Sequence, residues 1–112
     1  MYKYQLRPGY GSDKLLIEFI HGVEKKTFLI DLKKALKQIN FEIETTENLW
    51  LNDEIIIHVN SSKGKFILSK AIWGFAFILA DENQKIISLI DNILSKNDSF
   101  IKEEADFSEY KK

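Results

Sequence analysis

The chain has no cysteine, one proline, one arginine and one methionine among its 112 residues. Without cysteine there is no disulfide, no thiolate zinc site and no cysteine nucleophile, which fits a reducing compartment and makes the cytoplasm the expected location. The lone Arg7 and a formal net charge of -1 argue against nucleic acid as a partner, because readers of phosphate backbone combine arginines with a broad positive surface. Long apolar runs are also missing. The longest, Ala71 to Ala80, is about half of what a membrane-spanning helix needs. Met1 to Arg7 lacks the apolar core and small-residue cleavage site of a secretory signal, so neither membrane insertion nor export is expected.

What is present matches a globular domain. Hydrophobic residues make up 45% of the chain and charged residues 29%, enough apolar surface to fold unaided. The length suits one core, so residues 1–112 are read as a single domain whose stretch 98–112 is an acidic C-terminal segment.

The hydrophobic period changes along the chain. Tyr2, Tyr4 and Leu6 alternate with polar residues as in a strand that stops before Pro8-Gly9, and the turn-rich Pro8–Asp13 leads into a second strand over 14–20. Leu29, Leu32, Leu36 and Ile39 then recur at helical spacing, with Lys33, Lys34 and Lys37 opposite, Thr27 placed to cap the start and Asn40 the end. Strand periods return in 41–45, 54–59, 65–68 and 72–79. In the last run Trp73, Phe75, Phe77 and Leu79 share one face, which the packing rule for strand aromatics turns inward, with Phe66, beneath a second helix. That helix is expected from Ile86 to Leu94, with Asp81 to Gln84 reading as a capping box. Past Asn97-Asp98 the acidic tail has room for an edge strand or a helical turn. These elements predict an α+β fold, a mainly antiparallel sheet of about five or six strands carrying two amphipathic helices, with a ferredoxin-like order as the alternative topology.

Chemistry-bearing motifs are sparse. His21 and His58 are the side chains whose ordinary pKa suits proton transfer near neutrality, so an enzyme or a ligand-binding domain would be built on one of them. Asp53, Glu54 and His58 form the one grouping able to approach a metal, but no ligand motif surrounds them. Gly9-Tyr10-Gly11-Ser12 lacks the spacing and following helix of a phosphate loop. The reading is therefore no catalytic residue, no metal and no cofactor. Two surfaces suit a protein partner instead: Trp50, a large apolar side chain in a polar loop, and the acidic tail with Asp98, Glu103, Glu104, Asp106 and Glu109 among aromatics. A homodimeric structural module pairing through a strand edge or the tail is the remaining alternative.

Small, rich in lysine, isoleucine and asparagine, slightly acidic, cysteine-free and without a catalytic signature, the chain resembles bacterial immunity proteins that neutralise a toxin, including those of contact-dependent inhibition systems. The likeness rests on composition and size, so it carries no residue roles. It implies a non-enzymatic chain that occludes a basic toxin domain in the cytoplasm.

Overall fold

A computed structural model of the chain describes residues 2–9, 13–49, 53–71 and 74–105. Among these lie the strands β1 (Tyr2–Pro8), β2 (Leu15–His21), β3 (Glu42–Leu49), β4 (Glu54–Ser61), β5 (Gly64–Ala71), β6 (Ala76–Leu79) and β7 (Phe100–Glu103). Helix α1 (Phe28–Ala35) follows β2, and α2 (Gln84–Ser95) follows β6. The strands form one sheet in the order β3-β4-β5-β6-β2-β1-β7. Every neighbouring pair is antiparallel except β1 and β7. The fold is α+β, and its seventh strand is the edge strand for which the tail had room. None of the described helices is long and apolar enough to cross a membrane.

Both helices cover the same face. Tyr2 and Tyr4 stand two apart on β1 and point together, as strand geometry requires. The Tyr2 hydroxyl donates to Asp31 on α1, and the Tyr4 hydroxyl lies 3.2 Å from an Asp91 carboxylate oxygen on α2. Beneath the helices one contiguous core gathers Ile17 and Phe19 from β2, Phe66 and Leu68 from β5 and Ile78 from β6, against Leu32 of α1 and Ile87 and Ile90 of α2. Burying each such side chain is worth about 1.5–3 kcal/mol.

Three local expectations are corrected. Phe77 and Leu79 are half-buried on the face away from the helices, while Ala76 and Ile78 of the same strand are buried inward. The small Ala76 lies opposite Phe19 of β2, so the inward space over β6 is filled from the neighbouring strand and the aromatic side turns outward. Phe75 is exposed, Trp73 lies outside the described residues, and among the described members of that group Phe66 alone enters the core. The capping box is absent as well. Asn83 takes the N-cap position without a side-chain bond. Gln84 instead binds the backbone of Leu15 through both amide atoms, at 2.6 and 3.1 Å, which ties the start of α2 to β2. Thr27 is at the N-cap of α1 but gives the backbone no bond; its hydroxyl lies 3.4 Å from that of Tyr2.

The Tyr2–Asp31 contact predicts a pH dependence. Donation from the Tyr2 hydroxyl is the main reason the Asp31 carboxyl is held below the ordinary carboxylate range. A depressed carboxyl stabilises the fold above its unfolded pKa of about 4, and that stabilisation is lost as pH falls through the folded value. Tyr2→Phe should therefore lower the melting temperature most near pH 7, and the gap to the parent should shrink below about pH 4. A gap that stays constant from pH 7 to pH 3 would remove Asp31 from the effect.

Candidate functional site

The sheet face opposite the helices is the candidate site. Strand alternation places a second set of side chains there, and the registers align them in rows across the sheet. One row runs Thr45, His58, Ile67 and Leu79 through β3, β4, β5 and β6. The next runs Glu47, Ile56, Ser69, Phe77 and Glu18. Ile56, Ile67, Phe77 and Leu79 are half-buried and form an apolar floor.

Charged groups frame the floor at both ends. Toward β1, Arg7 Nε donates to Glu18 Oε1 at 2.8 Å, with both side chains nearly buried, and its guanidinium lies 5.7 Å from the Phe77 ring centre. Bonds of this kind hold a charge away from water. Toward β3, His58 Nε2 is 2.6 Å from Glu47 Oε2 in an exposed contact, and Lys65 Nζ is 3.4 Å from Glu44 Oε1. With an ionised carboxylate as acceptor, the histidine proton resides on Nε2. Beside this end opens a cleft of about 530 Å³. Ile67 and Leu79 line its floor, and Glu44, His58, Asp81 and Glu82 stand around it. A concave apolar surface with a few polar groups at its rim is the usual form of a binding site, and here carboxylates outnumber cations at the rim.

No family model, curated protein or solved structure matches this chain.

The residues singled out in the sequence distribute unevenly. Glu103 ends β7, with Asp98 and Glu104 on either side of the strand, at the sheet edge opposite β3. Asp98 is exposed and lines a hollow with Tyr2, Lys25 and Asp31. Glu103 pairs with Lys3 at 3.5 Å, and Glu104 is exposed. Trp50, Asp106 and Glu109 lie outside the described residues. His21 is exposed at the end of β2 and pairs in register with Lys3, away from the cleft. His58 is in the cleft. The Asp53–Glu54–His58 grouping does not assemble: Glu54 receives a bond from Ser69 while His58 turns to Glu47. Among the described residues no three potential ligands converge on a metal position.

Glu44, Glu47, Asp81 and Glu82 were not singled out in the sequence as site residues. The signal that would have pointed to the face is the run Phe75 to Ala80, apolar at every position where a one-sided sheet would alternate.

Proposed function

We propose that this chain is a protein-binding module of the inhibitor or immunity type, which docks a basic toxin domain against the helix-free face of its sheet and occludes it. The observation carrying this reading is the cleft over Ile67 and Leu79, with an apolar floor and the carboxylates Glu44, Asp81 and Glu82 around it. An apolar centre supplies slow release, and a carboxylate rim steers a cationic partner. The carboxylates Asp98, Glu103 and Glu104 at the β7 edge offer a second acidic surface to the same partner; Asp106, Glu109 and Trp50, the other residues proposed for it, lie outside the described residues.

The test is a tagged pull-down from the native host with mass spectrometry of what remains bound. The wild type should retain a basic toxin domain stoichiometrically. Ile67→Asp with Asp81→Lys should weaken that complex about tenfold or more, as loss of a central contact typically does, while the circular dichroism spectrum is unchanged. If reversing Asp98, Glu103 and Glu104 breaks the complex instead, docking moves to the tail. A clean lane with an active host toxin would reject the inhibitor reading.

One observation favours a second reading, in which the cleft takes a small ligand or substrate. His58 is oriented there by Glu47, the arrangement in which a carboxylate sets an imidazole tautomer. His58→Ala with unchanged biological activity would remove histidine chemistry.

A further inference from the structure

The strand β3 borders the cleft and ends the sheet. It has β4 on one side and no neighbour on the other among the described residues. Its side chains from Glu42 to Asn48 are all exposed. An open edge presents a row of unpaired N–H and C=O groups, which is a template for another strand.

We infer that the outer edge of β3, along Thr45–Leu49, receives an extended lysine- or arginine-bearing segment of the protein partner as an added strand. The inference rests on the protein-binding reading above and names how that partner is gripped.

The geometry of β3 supports this stretch. The register with β4 slips between Ile43 and Thr45, leaving Glu44 as an extra residue, and such a bulge twists an edge and interrupts pairing. From Thr45 to Leu49 the register is unbroken through five residues, about 17 Å of regular edge. This stretch contains neither proline nor lysine, the residues that most often blunt an edge. Thr45 and Thr46 are β-branched and suit a paired strand.

Charge selects the occupant. Glu47 lies within this stretch and Glu42 and Glu44 just before it, with no cation in the strand; Glu44 lies 3.4 Å from Lys65 and Glu47 contacts His58. A second copy of the chain would set these carboxylates against their own kind, and like charges across a strand pair are destabilising. A cationic segment would meet opposite charge at Glu47 and, just before the stretch, at Glu44 and Glu42. The other edge differs in both respects: β7 has four residues and carries a cation of its own, Lys102, beside Glu103. A strand added at β3 would extend the row of Thr45, His58, Ile67 and Leu79, so its side chains would continue into the cleft.

The experiment titrates the full-length, ¹⁵N-labelled chain with a capped peptide of about ten residues alternating lysine with valine or threonine, the pattern that strand addition reads. The amide signals of Thr45–Leu49 should shift, and hydrogen exchange of the outward-facing amides should slow about tenfold. The same peptide N-methylated at alternate residues, which keeps its charge and loses one hydrogen-bonding edge, should bind about tenfold more weakly. A glutamate-for-lysine peptide should not bind. Equal binding of the N-methylated peptide, shifts confined to His58, Ile67 and Leu79, or no binding at all would overturn strand addition. Each leaves the pull-down and its cleft variant as the separate judge of whether the chain binds a protein.

Discussion

Replacing Phe19 with alanine is expected to lower the folding stability by about 3–5 kcal/mol, a large share of the 5–15 kcal/mol typical of a domain. Phe19 is fully buried at the middle of the sheet. Its ring centre lies 5.2 Å from that of Phe28 and 6.1 Å from that of Phe100, both edge-on, and 6.3 Å from that of Tyr4. These contacts join β2 to β1, β7 and α1. The residue opposite on β6 is Ala76, which has no side chain long enough to refill the space, so collapse of the cavity would be incomplete. Urea unfolding should show a reduced midpoint with an unchanged slope, the sign of lost stability without a changed denatured state. Phe19→Leu should recover part of the loss. A cost below about 1 kcal/mol for alanine would mean that the neighbours close the gap.

Gly22→Ala should destabilise the chain by about 2–4 kcal/mol, combining backbone strain with overpacking. Gly22 has φ +92°, where a side chain is disfavoured, and a Cβ built there falls 2.5 Å from Cδ1 of Tyr2. The Tyr2 ring has no room to yield: it is stacked on Phe100 at 5.0 Å, meets Phe28 edge-on at 5.6 Å, and its hydroxyl is bound to Asp31. Gly64→Ala is the control. Its φ of +117° is equally unfavourable, but its Cβ would meet the side-chain nitrogen of Asn83, the movable end of a group whose bond is to the exposed Lys63 carbonyl. The two thermal shifts should rank Gly22 well above Gly64. Equal shifts would show that backbone strain alone decides both.

The contrast between α2 and β6 explains which parts of the fold were legible. In α2 the buried residues Ile86, Ile87, Ile90, Ile93 and Leu94 repeat at helical spacing, and a helix has one buried stripe that periodicity reports directly. The apolar residues of β6 alternate on both faces, so period two identifies the strand but leaves open which face meets the helices. Volume across the sheet decided it: Phe19 from β2 occupies the space above Ala76, and Phe77 and Leu79 were left to floor the opposite side. Gln84 shows the same limit. Its position before an apolar helix suggested a cap, yet the partner it found is Leu15, far away in sequence.

The candidate site was harder to read for a related reason. His58 was visible as a titratable residue, but its partner Glu47 belongs to another strand, and their contact depends on the β3–β4 register after the slip at Glu44. Asp81 and Glu82 join the same cleft from the turn before α2.

The order of strands and helices, the absence of thiol chemistry and the amphipathic stripe of α2 were determined by the sequence itself, because each follows from composition or from contacts within a few residues. The sheet order, the outward turn of Phe77 and Leu79, the convergence of His58 with the carboxylates and the open edge of β3 were decided by tertiary structure. Each is a relation between residues distant along the chain, set by which side chains fill the same volume and which backbone groups find a neighbour.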